Sequence, residues 1–261
     1  MGTAEVQGAL WGARPEDWAE ANEPAWRGVF EEALNHAGVG RGTRHLDIGC
    51  GAGGALVASR VCGAEVAGLD ASANLVAVAR RRLPGAPIEV GEMEELPFDE
   101  RSFDVVTGIN SVQFAGDPVR TLVEARRVTR PGGTVLVLVW GKREDCELIS
   151  VTASAVFALL PPSPQGAAPP RPWAEPGVIE GLMREAGLVP VEAGEFPAAL
   201  RFPDATTATR GVLSASARAI AHAGAETVAA TVAATLSRVT RPDGSVVWNN
   251  RFRWVRATAS C

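Results

Sequence analysis

A glycine-rich segment, DIGCGAGG at residues 47–54, separates a short apolar run from a stretch that can begin a helix. The run at 45–48 predicts a β-strand, and residues 55–60 predict the start of a helix. Glycine allows a tight turn and lets a ligand approach the backbone, while the first N–H groups of the helix point at that ligand. The segment therefore predicts a ligand-binding turn at the carboxyl end of the first strand.

Apolar runs and helical stretches alternate along the rest of the chain. Further strands are predicted at 65–69, 88–90, 103–109, 134–140, 188–196 and 246–256, and further helices at 73–82, 118–129 and 178–186. The early strands are continuously rather than alternately apolar, which indicates a mostly parallel sheet that is buried on both faces. A Thr/Ala-rich stretch at 204–238 predicts a helical insertion before the last strand. This organisation is an α/β fold in a single domain.

The charge and composition exclude several functions. The net charge of −5 argues against a nucleic-acid footprint, which needs a basic face. The chain has no tyrosine for a Tyr–Lys proton relay, and Schiff-base chemistry would rest on Lys142, its single lysine. Four cysteines without a C-x-x-C pair predict no disulfide framework or zinc site and indicate a reducing cytoplasm. We expect no signal peptide and no membrane partner, because the longest strongly apolar stretch, 135–140, is too short for a bilayer.

Two aspartates discriminate between the ligands that the glycine-rich turn could bind. Gly49, Gly51 and Gly54 satisfy G-x-G-x-x-G, so a nicotinamide or flavin dinucleotide must be weighed. Asp47, however, stands two residues before the first glycine, where a dinucleotide site usually keeps an apolar residue close to the pyrophosphate. A carboxylate there favours a cationic ligand without a phosphate. Asp70, at the end of the second strand, is placed to accept hydrogen bonds from a ribose diol.

Four segments, in this order and spacing, resemble the class I S-adenosylmethionine-dependent methyltransferases, most closely the small-molecule branch often called methyltransferase type 11. They are HLDIGCGAGG, VAGLDAS, GEMEELPFDERSFDVVTGINSVQF and RPGGTVLVLVW, within residues 43–141. The resemblance implies a Rossmann-like fold with a seven-stranded, mostly parallel sheet and helices on both faces. It also implies S-adenosyl-L-methionine as cofactor, S-adenosyl-L-homocysteine as its product, and a small-molecule acceptor from secondary-metabolite biosynthesis.

The resemblance divides the single domain, 1–261, into three parts. It implies an N-terminal helical lid at 1–40, a cofactor-binding core at 41–142, and a C-terminal part at 143–261 with a substrate cap at about 197–240. The segment WGARPEDWAEANEPAW resembles the helix that many members fold over the cofactor. Pro24 interrupts its helical spacing and predicts two short helices rather than one. Plain packing of this segment on the sheet is the alternative to a lid.

The family's roles, carried over position by position, imply a cofactor site in which Asp47 holds water or the methionine ammonium group and Asp70 binds the ribose hydroxyls. Glu92 and Met93 would flank the adenine, and Asn110 would face the methionine moiety and the transferring methyl. The full candidate set is Trp11, Trp18, Asp47, Gly49, Cys50, Gly51, Gly53, Asp70, Ala71, Glu92, Met93, Asn110 and Ser111.

Methyl transfer from a sulfonium is an in-line displacement that disperses charge, so positioning and desolvation can supply most of the acceleration. The segment 108–113 after the fourth strand carries no carboxylate cluster, so no metal is expected. His222, in the expected cap, is the candidate general base, whereas His36 and His45 are better explained as structural. Three further residues are candidates to line the acceptor pocket: Arg210, Trp173 and Trp248.

Two alternatives to methyl transfer stay open. The same pocket could serve a non-methylating reaction such as a cyclisation, because a fold does not fix a function. The chain could also be a non-catalytic partner subunit, although the intact glycine loop and Asp70 count against that. The identity of the acceptor, the atom that is methylated and the formation of a homodimer are also left open.

Overall fold

The computed structural model describes residues 2–162 and 171–260. Its strands are β1 (Arg44–Ile48), β2 (Glu65–Asp70), β3 (Ile88–Val90), β4 (Phe103–Ile109), β5 (Thr129–Trp140), β6 (Leu188–Phe202) and β7 (Val246–Ala259). They form one sheet in the order β3-β2-β1-β4-β5-β7-β6, in which β7 runs antiparallel to both of its neighbours. The predicted α/β class and the seven-stranded, mostly parallel sheet are confirmed.

Helices precede the sheet, connect its strands and form an insertion before β7. They are α1 (Ala4–Trp11), α2 (Pro15–Asp17), α3 (Arg27–Ala37), α4 (Gly54–Val61), α5 (Ala73–Arg82), α6 (Pro118–Val128), α7 (Ser154–Phe157), α8 (Val178–Glu185), α9 (Ala205–Ser214), α10 (Ala217–Ala223) and α11 (Ala225–Leu236). The last three lie between β6 and β7, within the stretch where the sequence predicts a helical insertion. We call α9 to α11 the cap helices.

The N-terminal helices are not divided at Pro24. A π turn, Trp18–Asn22, and a 3₁₀ turn, Glu23–Trp26, join α2 to α3 in one helical run. Pro24 lies in the first turn of the 3₁₀ segment, a position that tolerates a residue without an N–H. The interruption lies instead at residues 12–14, between α1 and α2, so the expected division at Pro24 is wrong.

Strand β5 shows why the apolar runs of this sequence are continuous. Leu136 and Leu138 pack in one core with α3 and the cap helices. Val135, Val137 and Val139 pack on the opposite face with α6 and α8. Successive side chains of a strand point to opposite faces, so a strand covered on both sides carries apolar residues at every position.

The last two strands are longer than the sequence predicts. β6 pairs antiparallel with β7 from Leu188 to Phe202. Pro190 and Pro197 interrupt the strand pattern in the sequence, but β6 lies at the edge of the sheet, where proline is tolerated. Residues 197–202, expected in the cap, therefore belong to a strand, and the first cap helix begins at Ala205.

Within residues 2–162 and 171–260, no single helix has both the length and the apolar character needed to cross a membrane. Helices α10 and α11 meet that requirement only when they are taken together, across a bend of 117°.

Candidate functional site

The carboxyl ends of β1, β2 and β4 border a cavity of about 100 Å³, which we call the loop cavity. In a parallel sheet these ends meet at one edge, where α/β proteins generally bind ligands. Eleven of the thirteen candidate residues line it: Trp11, Trp18, Asp47, Gly49, Cys50, Gly51, Asp70, Ala71, Met93, Asn110 and Ser111. The fold therefore gathers the N-terminal helices and three strand ends around one space.

Two glycines of the turn are required by geometry. Gly49 and Gly51 have φ values of 77° and 56°, in the left-handed region that favours glycine. A Cβ atom at Gly49 would lie 2.3 Å from the Cβ of Ser111, and one at Gly51 would lie 3.1 Å from the Trp18 Nε1. A side chain at Gly49 would thus collide with the loop after β4.

Asp70 holds the turn through both of its carboxylate oxygens. Its Oδ2 accepts from the Gly51 N–H at 2.8 Å, and its Oδ1 accepts from the Ser72 N–H at 2.8 Å. Burial raises the pKa of Asp70, although these two backbone donors act in the opposite direction. Each carboxylate oxygen can accept more than one hydrogen bond, so Asp70 can hold the turn and still accept from a ligand in the loop cavity.

Asp47 is the end of a buried chain of hydrogen bonds. The Thr107 hydroxyl donates to Asp47 Oδ1 at 2.6 Å, so it must accept from His45 Nε2, which lies 2.8 Å away. His45 Nδ1 then accepts from the Ser59 hydroxyl at 2.9 Å. The prediction of a structural His45 agrees with this arrangement, because its side chain is fully buried and faces Ser59 and Thr107.

Two members of this chain, Asp47 and His45, have strongly shifted pKa values. Burial raises the pKa of Asp47 from 3.8 to about 7; the Thr107 hydrogen bond opposes this, and the neighbouring carboxylates Asp70 and Glu23 add to it. Burial lowers the pKa of His45 from 6.5 to about 3, so His45 is neutral at physiological pH. A cation brought into the loop cavity would favour the ionised form of Asp47.

Two candidate residues, Gly53 and Glu92, do not line the loop cavity. Gly53 has a φ of 86° at the start of α4, and a Cβ atom there would meet Ala79 and Leu83 of the α5 region at 3.2 Å. Gly53 therefore allows the close packing of two helical segments, and its expected contact with the cofactor stays a prediction.

Glu92 lies at the base of α1 instead. Its Oε2 accepts from the Ala4 N–H at 2.9 Å, and its Oε1 accepts from the Met93 N–H at 3.1 Å. Glu92 therefore fixes the first turn of the N-terminal segment, where a carboxylate also suits the helix dipole. Its expected place beside the adenine stays a prediction.

Glu23 is a functional candidate that the sequence interpretation missed. It is buried and lines the loop cavity, and its Oε1 accepts from the Ala52 N–H at 3.0 Å and from the Trp18 Nε1–H at 3.1 Å. Arg82 donates to Glu23 Oε2 at 2.5 Å and to the Ala52 carbonyl at 3.0 Å. Burial raises the pKa of Glu23 and Arg82 lowers it, with a net increase.

A helical-face argument could have found Glu23. Ala19, Glu23 and Trp26 occur at i, i+4 and i+7, so they share one face of a helix, and Ala19 and Trp26 are buried. A carboxylate on an otherwise apolar face is uncommon unless it has a partner. Arg82 gave no such signal, because it ends a run of three arginines that is typical of an exposed helix end.

A second cavity, of about 510 Å³, adjoins the first beneath the cap helices, and we call it the cap cavity. The residues that line both cavities are Gln7, Trp11, Trp18, Trp26, Asn110 and Phe114. Asn110 lies where the two meet, with a φ of 54° that is uncommon for a residue other than glycine. The two cavities are therefore neighbouring compartments with a shared wall.

The residues expected to act on an acceptor lie elsewhere. His222 is exposed near the end of α10 and is not among the residues that line either cavity, so the geometry gives no support for it as a base. Arg210 binds Asp17 at 2.8 Å and Glu20 at 3.3 Å, which joins the cap to the N-terminal run.

The two expected tryptophans are also separate from the cap cavity. Trp248 is fully buried in the core and donates to the Thr152 hydroxyl at 3.1 Å. Trp173 lines a different hollow with Lys142 and Glu175. The tryptophans that do line the cap cavity, Trp26 and Trp140 besides Trp11 and Trp18, could not be selected from the sequence because tryptophan is equally common in cores.

The chain is similar to known methyltransferases in sequence. Residues 46–137 match the family model described as a methyltransferase domain. A malonyl-[acyl-carrier protein] O-methyltransferase of Erwinia pyrifoliae is 33% identical over 184 residues, which cover 70% of this chain and 65% of that protein. The chain spans between 34% and 65% of the length of the first curated relatives that it matches.

The fold is shared with solved structures. A SAM-dependent methyltransferase from Thermotoga maritima aligns over 97% of this chain and 100% of its own, with a TM-score of 0.58 and 17% identity. The [4+2]-cyclase SpnF aligns over 90% of this chain and 81% of its own, with a TM-score of 0.57 and 18% identity. At such identities these likenesses show the fold alone.

We predict that Asp47→Asn stabilises the chain without ligands, and more so at higher pH. The folded-state pKa of Asp47, about 7, lies above its ordinary value of 3.8, so folding holds a proton that the unfolded chain releases. The free energy of unfolding therefore falls as the pH rises from 3.8 to about 7, and asparagine, which does not ionise, removes this decrease. The advantage of Asp47→Asn in the free energy of unfolding should grow by about 2 kcal/mol between pH 5.5 and pH 8 in urea titrations.

Asp104→Asn is the matched control for this experiment. The pKa of Asp104 is lowered to about 2, because partial burial raises it less than the hydrogen bonds from Arg44 and Arg130 lower it. Both pH values lie above its folded and ordinary pKa values, so the effect of Asp104→Asn should be the same at each. An Asp47→Asn effect that is also independent of pH would contradict the assignment.

We predict that Glu23→Ala destabilises the folded chain by about 3 kcal/mol, because it leaves the buried Ala52 N–H and the partly buried donors of Arg82 and Trp18 without their acceptor. Denaturant unfolding measures this, and Glu16→Ala is the control. Glu16 pairs with Arg81 on the surface, where both side chains are more than half exposed, so its loss should cost less than about 0.5 kcal/mol. Equal costs for the two variants would rule out this role of Glu23.

Proposed function

Because residues 46–137 belong to the methyltransferase domain family and the chain has the class I methyltransferase fold, we propose that it moves the methyl group of S-adenosylmethionine to a small molecule. The observation that carries the proposal is the pair of adjoining cavities. One is bordered by the glycine turn with Asp47 and Asp70, and the other lies beneath the cap helices, and they meet at Asn110. Two reactants can thus be placed on either side of one residue.

The residues of the loop cavity suit the donor chemically. Asp70 can accept from ribose hydroxyls while it holds the turn, and the apolar Ala71 and Met93 suit an adenine ring. Asp47 and Glu23 present carboxyl groups to a cationic methionine moiety. When bound, S-adenosylmethionine supplies an electrophilic methyl group on a positively charged sulfur.

The chain's own contribution to the reaction is placement and the exclusion of water. Trp11 packs edge-to-face against both Trp18 and Phe114. The distances between the ring centroids are 5.3 Å to Trp18 and 5.2 Å to Phe114. These rings form the wall that the two cavities share, so they can cover the reacting atoms. Alignment of the two reactants and exclusion of water lower the activation barrier to methyl displacement, and this does not require additional charged catalytic groups.

Cyclisation of an apolar molecule in the cap cavity is the second candidate. The enclosing side chains are mostly apolar and aromatic, and they could hold a folded substrate. Incubation with methyl-labelled S-adenosylmethionine and a panel of metabolites separates the two functions. Methyl transfer forms S-adenosylhomocysteine and moves the label to a metabolite. Cyclisation changes the substrate but leaves the label on the cofactor.

We predict that the chain binds S-adenosylmethionine and S-adenosylhomocysteine but not NAD, and that Asp70→Ala weakens this binding. Loss of charge-assisted hydrogen bonds worth about 1.5–3 kcal/mol should lower the affinity roughly 10- to 150-fold in calorimetry. Asp117→Ala is the control, because Asp117 accepts two backbone N–H groups at the start of α6 but lines neither cavity. Equal affinities of the Asp70→Ala variant and the original chain would refute the role of Asp70.

We predict that the N-terminal segment acts as a lid. A chain without residues 1–20 should stay folded, because every strand of the sheet begins at Arg44 or later, yet it should lose most turnover and bind the cofactor more weakly. Hydrogen exchange over residues 8–26 should slow when S-adenosylhomocysteine is added. Unchanged exchange together with full activity of the shortened chain would leave only a packing role for this segment.

A further inference from the structure

The cap cavity is enclosed mainly by hydrocarbon and aromatic side chains. Rings reach it from the N-terminal run, from β5, from α7 and from β6: Trp26, Trp140, Phe157 and Phe202. Its volume of about 510 Å³ lies in the range of pockets that bury most of a drug-sized molecule. The described residues that line it include no carboxylate. The cavity therefore suits a largely apolar ligand, and polar selection within it depends on a few side chains.

Two carboxamides of the N-terminal helices have oxygens that tryptophans occupy. Gln7 Oε1 accepts from the Trp11 Nε1–H at 3.1 Å, and Asn22 Oδ1 accepts from the Trp26 Nε1–H at 3.1 Å. Each carboxamide precedes its tryptophan by four residues, so the two side chains lie on the same helical face. Because an indole N–H can only donate, each contact fixes which end of the amide is the oxygen, and the NH₂ group remains for other partners.

Asn22 is the carboxamide whose NH₂ group needs a partner. Gln7 is only half-buried, so water can satisfy its amide, whereas Asn22 is 7% exposed and its Nδ2 makes no hydrogen bond to any described residue. Unlike the unpaired Gln113 Oε1, Asn22 Nδ2 is not fully enclosed, so it borders a space that a ligand can enter. Of the two cavities, Asn22 lines the cap cavity alone. Its amide N–H groups are therefore donors available to a ligand in the cap cavity.

The other polar side chains of the cap cavity do not meet this need. Gln113 Nε2 donates to Asn110 Oδ1 at 2.5 Å, and the Ser216 hydroxyl donates to a backbone carbonyl of α9 at 2.7 Å. Arg218 is a further donor, exposed to water at the rim. A buried N–H without an acceptor is less tolerated than a carbonyl with one free lone pair. An acceptor atom for Asn22 must therefore come from the ligand.

We propose that the molecule that receives the methyl group is largely apolar and carries a carbonyl oxygen, which accepts a hydrogen bond from Asn22 Nδ2 in the cap cavity. This inference rests on the proposed function and names its substrate class. A carbonyl oxygen satisfies the amide and brings no N–H or O–H of its own into the cavity. A hydrocarbon leaves Nδ2 unpaired, and an ammonium group adds donors and a charge where the described lining offers no carboxylate. Asn22 is thus a specificity-determining residue.

The test uses the full chain, saturated with S-adenosylhomocysteine, and three probes of similar size. These are a ketone, a hydrocarbon and an ammonium ion: 2-acetylnaphthalene, 2-isopropylnaphthalene and protonated 2-naphthylmethylamine. In calorimetry at pH 8 the ketone should bind roughly tenfold or more tightly than the ammonium ion. Infrared spectroscopy of the ketone, isotope-labelled at its carbonyl carbon, should show the carbonyl band of the bound probe at a lower frequency than in hexane, because a hydrogen bond weakens the C=O bond.

Two variants, Asn22→Asp and Asn22→Leu, each remove the NH₂ group. Asn22→Asp keeps an oxygen for the Trp26 indole, so it changes the donor without removing the contact that fixes Trp26. Both variants should weaken ketone binding at pH 8 roughly 3- to 10-fold relative to the hydrocarbon. Asn35→Asp is the matched control, because it makes the same chemical change at an exposed position of α3, and it should preserve the ratio.

Three results would each overturn the inference: a bound carbonyl band at its hexane frequency, tighter binding of the ammonium ion than of the ketone, or a ketone-to-hydrocarbon ratio that neither Asn22 variant changes. Absence of ketone binding to the loaded chain would overturn it as well. Failure to bind S-adenosylhomocysteine itself would instead overturn the proposed function.

Discussion

Two buried carboxylates hold consecutive peptide groups of the glycine-rich turn, and the position of the candidate site depends on them. Asp70, at the end of β2, accepts from the Gly51 N–H, and Glu23, from the N-terminal run, accepts from the Ala52 N–H. Arg82 of α5 binds Glu23 and the Ala52 carbonyl together. The turn is therefore fixed by three segments that are distant in sequence, which pre-organises its backbone before any ligand enters.

The same contacts make the N-terminal run a common wall of both cavities. Glu23 fixes the run to the turn on one side, and Asp17 binds Arg210 of the cap at 2.8 Å on the other. Trp18 lies between these two attachments and lines both cavities. A ligand that moved Trp18 in the loop cavity would therefore also change the shape of the cap cavity.

The sequence predicts the central sheet well because its signals are local. A glycine-rich segment before a helix predicts a turn, and an aspartate after an apolar run predicts the end of a strand, without any knowledge of tertiary contacts. Asp47, Gly49 and Asp70 accordingly lie at the strand ends and the turn where they were expected. The packing contacts of Gly53 and Glu92 could not be predicted, because they depend on which neighbour each residue meets: the α5 region for Gly53 and the start of α1 for Glu92. The cap cavity could not be predicted either, because it forms only when the N-terminal run, β5, α7 and α9 to α10 pack together.

The buried carboxylates of the loop cavity affect both the stability of the folded chain and the charge of the ligand that the cavity favours. Burial raises the pKa values of Glu23, Asp47 and Asp70, so each carboxylate is costly to ionise in the folded chain, and Arg82 compensates only the first by direct contact. A neutral or anionic ligand would leave that cost in place or increase it. A ligand with positive charge reduces it, because opposite charge favours the ionised carboxylates. Binding of a cation therefore lowers the cost of ionising these groups, whereas a pyrophosphate would add negative charge beside them.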